Sequence, residues 1–233
     1  MRFRSKRYIK DAEKQPKAPL ALDLAVKALK GFSKTKFDQS VDICFHLGID
    51  PEQADQLIRG SLSLPKGIGA SKKVIAFVPD TEVANAKAAG AIEAGADELI
   101  DKVNKGWLDF DVAIAHPSLM GKVGKLGKVL GPQGKMPSPK SGTVTADIST
   151  AVKEYSAGKV EFRNDKGGNI HAMVGKLSFS DHDLQENVHA FIEHIRRMRP
   201  AAAKGQFFKK ITLSGSMTPS VILDVAHSDV VEE

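Results

Sequence analysis

Apolar and polar positions follow two different rhythms along this chain, and the change of rhythm divides it. Leu22, Ala25, Val26 and Leu29 recur at i, i+3, i+4 and i+7, which predicts a helix ending near Gly31. Residues 39–46 alternate instead, with Val41, Ile43 and Phe45 on one face of a strand. Asp50 followed by Pro51 predicts the N-cap and first turn of a short helix. The stretch 65–73, PKGIGASKK, is a linker by its Pro, Gly and Ser content.

Beyond the linker the apolar positions become continuous. Residues 74–78 (VIAFV) and 111–115 (DVAIA) read as strands buried on both faces. An alanine-rich helix is expected over 81–94, ended by Gly95, with further helices over 119–130 and 147–156 and a short strand over 143–145. Strands alternating with helices mean a parallel α/β sheet. From Lys159 the first rhythm returns. Residues 159–164 alternate, 165–168 (DKGG) form a hairpin turn, and 169–174 make the return strand. Ser180 and Asp183 have capping-box spacing ahead of a long helix with the stripe Leu184, Val188, Phe191, Ile192, Ile195 and Met198. Pro200 ends that helix, and 207–213 is a last strand. The two flanks together complete one antiparallel sheet with two helices, so the α/β block is an insertion. The expected domains are a discontinuous α+β outer domain, 1–67 with 159–233, and an inserted α/β domain, 68–158. Two linkers cross one boundary at Gly67, Gly69, Gly158 and Lys159, which allows a hinge.

The 233 residues are 42% hydrophobic and 27% charged, as in an ordinary globular protein, and the net charge of +6 points to an anionic partner. Residues 1–36 carry eleven Lys/Arg against three Asp/Glu, whereas 68–158 hold eleven against ten. The positive excess therefore belongs to the N-terminal arm. No apolar h-region follows that arm, and no stretch approaches the roughly 18 apolar residues of a membrane span. The single Cys44 excludes an intramolecular disulfide and fits a reducing compartment, with cytoplasm expected.

The densest chemistry lies at 120–145, where Lys122, Lys125, Lys128, Lys135 and Lys140 meet no acidic residue and glycines and prolines shape a loop. Such a segment suits a phosphate backbone, or it is a solvated basic loop. It is not a P-loop: Met136 follows Gly134-Lys135, and Val129 stands where the first glycine belongs. Nor does Pro79-Asp80-Thr81-Glu82, at the first strand–helix turn, supply the phosphate fingerprint of a nucleotide-using enzyme. No catalytic set or metal site emerges. His189 and His194 lie about 140° apart around a helix, and neither CxxC nor HExxH occurs. His116 follows a buried strand at the end where α/β folds place ligands, and a ligand role is one reading of it. His171 lies within a strand, where an ordinary half-exposed histidine is the alternative. Lys34, Lys36 and Phe37 set an aromatic beside cations, which suits stacking on RNA unless Phe37 is core. SGSMTP (214–219) is a proline-limited turn of small polar residues that can meet a 2′-OH or a base edge.

Four ordered blocks, 36–69, 106–144, 158–179 and 213–220, resemble the L-one family of large-subunit ribosomal proteins, bacterial type. The resemblance covers almost the whole chain. It implies a split outer domain with an inserted Rossmann-like α/β domain, no enzymatic activity and no cofactor. It also implies binding to large-subunit rRNA at the mobile side stalk near the tRNA exit site, assistance in releasing deacylated tRNA, and repression of translation through the protein's own operon mRNA. The implied partners are thus rRNA, exit-site tRNA, that mRNA and other large-subunit proteins, with no membrane. RNA contact is implied for Lys36, Phe37, Arg163, His171, Ser216, Met217 and Thr218, with Pro219 shaping the turn, and secondary RNA contact for the five lysines of 120–145. The chain departs from the family pattern at Thr218, where the STMGP turn has glycine, at Gln133 for the arginine of GPRG, and at Ser138 for the asparagine of PNPK.

Overall fold

The computed structural model describes residues 4–224. In chain order it holds helices α1 (Lys6–Glu13) and α2 (Leu22–Lys30), strands β1 (Ser40–Leu47), β2 (Arg59–Leu62) and β3 (Val74–Phe77), helix α3 (Val83–Ala88), strand β4 (Glu93–Gly95), helix α4 (Asp97–Asn104) and strand β5 (Val112–Ala115). A broken helical run contains α5 (Met120–Val123) and α6 (Gly127–Leu130). Then come α7 (Ile148–Ser156), β6 (Val160–Arg163), β7 (Asn169–Lys176), α8 (Asp181–Arg197), β8 (Phe208–Gly215) and β9 (Val221–Leu223). The chain divides into two compact units, Met1–Gly69 with Glu161–Glu233, and Ala70–Val160.

The first unit is built on a four-stranded sheet in the order β7-β1-β8-β9, with every neighbouring pair antiparallel. Along β1 the side chains alternate as the apolar rhythm requires: Val41, Ile43, Phe45 and Leu47 are buried, and their neighbours are not. Helices α2 and α8 pack on the buried face. The Phe45 ring stacks on Phe191 at 5.6 Å, and Phe162 meets Phe191 edge-on at 5.3 Å. Ser180 caps α8, its Oγ accepting the Asp183 N–H at 3.1 Å and donating to the Asp183 carboxylate at 2.6 Å.

Two expectations for this unit fail for identifiable reasons, and one helix arises where none was expected. Residues 51–56 form turns rather than a helix, because Asp50 and the Gln53 and Gln56 side chains bond one another and close the chain locally. The turn expected at 165–168 closes, the Asp165 N–H donating to the Asn169 carbonyl at 2.8 Å, but the segments on either side do not pair as a regular hairpin. The Asn164 side-chain Oδ1 accepts the Ile58 N–H at 3.0 Å and the Asn164 backbone N–H donates to the Ile58 carbonyl, which clips β6 to β2 in a separate two-stranded sheet. Only the Asn164–Ile170 bridge joins it to β7. Helix α1 arises in the arm that has no apolar rhythm. It is held by polar tertiary contacts instead.

The second unit has a parallel sheet in the order β4-β3-β5, with β3 buried along its whole length. Val74, Ala76 and Ile114 pack against Ile148, Val152 and Tyr155 on one face. Ile75, Phe77 and Ala113 pack against Leu99, Val103, Val123, Leu126 and Leu130 on the other. The alanine-rich helix stops at Ala88, short of the expected Ala94. Gly90, at φ +111°, donates to the Lys87 carbonyl while the Ala91 N–H reaches Ala86, a glycine-ended helix stop. That stop frees 93–95 to become β4, and α4 follows it. The run 119–130 is helical but interrupted by a 3₁₀ turn at Gly124–Leu126, and 143–145 contributes only the Ala115–Val144 bridge.

Asn187 is the buried polar group on which the first unit turns. The pairing of β7 with β1 shifts register between Val41 and Asp42, which leaves Val174 out of the ladder. From the inner face of α8, Asn187 donates to the Val174 carbonyl at 2.8 Å and the Gly67 carbonyl at 2.9 Å, and accepts the Lys66 N–H at 3.1 Å. Removing the amide strands three backbone groups. Asn187→Ala should therefore lower unfolding free energy by about 3 kcal/mol, measured by urea titration. A loss below about 1 kcal/mol would mean that water replaces those bonds.

Candidate nucleic-acid interface

Two segments from opposite ends of the chain meet where β1 begins. The first, 32–39, follows α2 and carries Lys34, Lys36 and Phe37. The second is the turn 215–219 after β8. In that turn the Thr218 N–H donates to the Gly215 carbonyl at 3.2 Å, and Thr218 Oγ1 accepts the Gly215 N–H at 2.8 Å. The threonine hydroxyl thus closes the turn from within. Thr218 and Pro219 are buried, whereas Ser216 and Met217 face outward. Buried Gln39 couples the segments: its Oε1 accepts the Met217 N–H at 2.9 Å, and next to it the Ser40 carbonyl accepts the Ser216 N–H at 3.1 Å.

Phe37 is 52% exposed and Met217 51% exposed, so Phe37 is not core. Lys36 and Lys34 are exposed cations that engage no acid among the described residues. A cleft of about 570 Å³ borders Phe37, lined by Lys30, Lys34, Gln39 and Phe179 among others. Lys30 is already engaged, 2.6 Å from Asp181.

Behind this edge the outer face of the sheet is open. Register places Asp42, Cys44 and His46 of β1 beside Met173, His171 and Asn169 of β7 and beside Ser214, Thr212 and Lys210 of β8. His171 is exposed, with Nε2 3.6 Å from Asp165. It lies opposite Cys44, about 10 Å along the strand from the 215–219 turn. Arg163 is exposed and stands next to the Asn164–Ile170 bridge, further still from the turn. The structure therefore gathers Lys36, Phe37, Ser216 and Met217 at one end of the sheet face and sets His171 and Arg163 towards the other. Ser214 opens the 214–219 segment, whereas Thr212 had no motif to mark it. The alternation of 208–215, with Ile211 and Leu213 inward, is the signal that points them outward.

Burial raises the Asp42 carboxyl pKa above the ordinary carboxylate range, with the His171 charge opposing. Burial likewise pushes the Cys44 thiol up, which leaves it a poor nucleophile. His116 caps the turn at Pro117–Leu119, its Nδ1 accepting the Ser118 N–H at 3.3 Å, so it serves the backbone rather than a ligand. His182, Asp183 and Glu186 lie close enough to hold an ion, but Lys66 already approaches Glu186 at 3.2 Å and Asp183 at 3.6 Å.

Within 120–145 the five lysines separate. Lys122 pairs with Asp97 at 2.7 Å, and Lys135 donates to the Leu108 carbonyl over the Phe110 ring. Lys125, Lys128 and Lys140 are exposed and engage no acid among the described residues. Buried Val123, Leu126 and Leu130 hold the run in place, and Gly134 and Gly142 take the left-handed conformation that turns the loop.

Exposed apolar side chains stand beside lysines that engage no acid among the described residues, an arrangement suited to binding a nucleic acid. Comparison with known proteins agrees. Residues 29–219 match the model of the ribosomal protein L1p/L10e family. The large ribosomal subunit protein uL1 of Kosmotoga olearia is 48% identical over 231 residues, 98% of this chain and 99% of its own. That of Rhodopirellula baltica is 54% identical over 218 residues, 94% and 97%, and that of Streptomyces griseus is 52% identical over 200 residues, 86% and 83%. The chain belongs to the ribosomal protein L1p/L10e family, a structural and non-enzymatic family of ribosomal proteins. Among the described residues no helix is long and apolar enough to cross a membrane.

Asp42 gives this face a measurable pH signature. A folded-state carboxyl raised above its unfolded value adds stability at low pH that is lost as pH rises through the raised value. Asp42→Asn should therefore melt higher than the parent at pH 7, and the difference should vanish as pH falls below about 4. Parallel melting curves at both pH values would show that Asp42 carries no burial penalty.

Proposed function

We propose that this protein is a cytoplasmic, ribosome-bound constituent of the large subunit that binds rRNA through the unit formed by both termini. Its target is the mobile side stalk near the tRNA exit site, where it assists release of deacylated tRNA among other large-subunit proteins. The same surface represses translation by binding a similar fold in its own operon mRNA. The observation that carries this reading is the edge where Phe37 and Met217 stand exposed beside Lys36, fixed by Gln39, with an open sheet face leading to His171 and Arg163. Apolar side chains there supply stacking and packing, lysine neutralises phosphate, and Ser216 offers a hydroxyl to a 2′-OH.

In this reading the terminal unit is the split α+β domain, and the parallel-sheet unit is an inserted Rossmann-like domain. Support for the insertion comes from the sheet covered on both faces. Lys125, Lys128 and Lys140 make its secondary RNA contacts, with Lys122 and Lys135 held back by their protein partners. The connecting segments act as a hinge. Gly67, Gly69 and Gly158 are left-handed, and Lys72 Nζ ties the two segments together at the Lys159 carbonyl, 2.8 Å away. Asn187 holds Gly67 on one side of this hinge, and the Glu154 carboxylate holds Lys159 at 2.6 Å on the other.

Titrations against side-stalk rRNA and an unrelated structured RNA test the assignment. Lys36→Ala should weaken both by a similar factor and reduce the magnitude of the log–log salt slope by about 1. Phe37→Ala should cost on the order of 1–3 kcal/mol on the stalk and little on the unrelated RNA. Because Phe37 is exposed, its melting temperature should change little. Equal losses on both RNAs for Phe37→Ala and Ser216→Ala, with unchanged melting, would move recognition away from this edge.

A further inference from the structure

The two segments that meet at the interface are also spanned by one side chain from α1. Arg7 Nη2 donates to the Met217 carbonyl at 3.0 Å, and Arg7 Nη1 donates to the Ser33 carbonyl at 3.4 Å. One turn further on, fully buried Asp11 accepts both the N–H and the hydroxyl of Ser33, at 3.1 and 2.7 Å. Gln15, just past the helix, donates to the Ser220 carbonyl at 2.7 Å. Residues 7, 11 and 15 are spaced four apart, so they fall on one face of the helical path. That face grips main-chain atoms on both sides of the recognition edge: Ser33, four residues before Phe37, and Met217 and Ser220 around the turn.

We infer that Arg7 is a positioning residue, which fixes the Phe37 segment relative to the Met217 turn and so sets the preference for cognate RNA. The inference rests on the assignment of RNA recognition to that edge. Its chemistry is specific to a guanidinium. A planar guanidinium holds its donors on separate nitrogens of a rigid fork, here Nη1 and Nη2, whereas lysine gathers its three donors on one nitrogen at the end of a flexible stem. Arg7 directs both terminal nitrogens at protein carbonyls, so it acts on RNA through shape rather than charge. This gives the basic N-terminal arm a second task besides attracting phosphate.

The experiment uses the full chain with Arg7→Lys, which keeps the charge, and Arg7→Met, which removes it. Amide hydrogen exchange without RNA should quicken by about tenfold at Ser33 and at 216–218 in both variants, the loss expected for a charged hydrogen bond. Affinity for the side-stalk rRNA should fall by about tenfold in both variants, while affinity for unrelated RNA changes less than about twofold in Arg7→Lys. Unchanged exchange overturns the clamp. Wild-type affinity in Arg7→Lys with loss in Arg7→Met overturns it too, because the charge alone would then matter. Faster exchange with intact RNA preference also overturns it. Ser216→Ala, titrated alongside, then reports separately whether the turn reads RNA at all.

Discussion

Strand β1 pairs on both sides with strands that lie more than a hundred residues further along the chain, and the four-stranded sheet of the terminal unit is organised around that placement. Its neighbours β7 and β8 are antiparallel to it and fixed in register residue by residue. A slip by one residue would turn Val41, Ile43, Phe45 and Leu47 out of the core and bring Asp42, Cys44 and His46 into it. Register is therefore strongly determined, and it determines the outer face as firmly as the inner one. The intervening chain has to leave before β7 and return to it, so a second compact unit can grow there without disturbing the sheet.

The same pairing explains where polar groups are buried. The slip between Val41 and Asp42 leaves one carbonyl without a ladder partner, and Asn187 supplies it together with two more bonds. Gln39, just ahead of β1, takes the N–H of Met217. Both side chains are buried. Both convert the irregular ends of strands into fixed geometry, which an exposed Phe37 and Met217 need if their shape is to discriminate between RNAs. A large apolar side chain on a mobile loop would bind many surfaces weakly.

The second unit follows a different constraint. A parallel sheet must be covered on both faces, and the continuous apolar runs of β3 and β5 are the direct consequence. The glycine spacing of 121–134 then serves two ends. It breaks the helical run into short pieces anchored by Val123, Leu126 and Leu130, and it leaves the intervening lysines on the surface. Two of the five are taken by Asp97 and the Leu108 carbonyl, a division that composition cannot reveal.

Strict periodicity made much of this legible in the sequence. The alternation of 39–46, the apolar runs at 74–78 and 111–115 and the stripe of the long helix each report a buried face, because burial selects residue types one position at a time. Lys36, Phe37, Ser216 and Met217, which the family blocks single out, are all exposed. What tertiary structure decided are the elements with no such rhythm of their own. Helix α1 is mostly polar and depends on Ser33, Met217 and Ser220. Strand β2 exists because Asn164 clips β6 to Ile58, and β4 because a Gly90 stop ends the helix before it. Thr218 reads as a departure from a glycine turn, yet its hydroxyl closes that turn from inside. For α1 and β2 the deciding bonds join residues distant in sequence, which a pattern of neighbours cannot encode. The Gly90 stop and the Thr218 closure are local bonds, whose effect depends on the strand or turn that the fold places beside them.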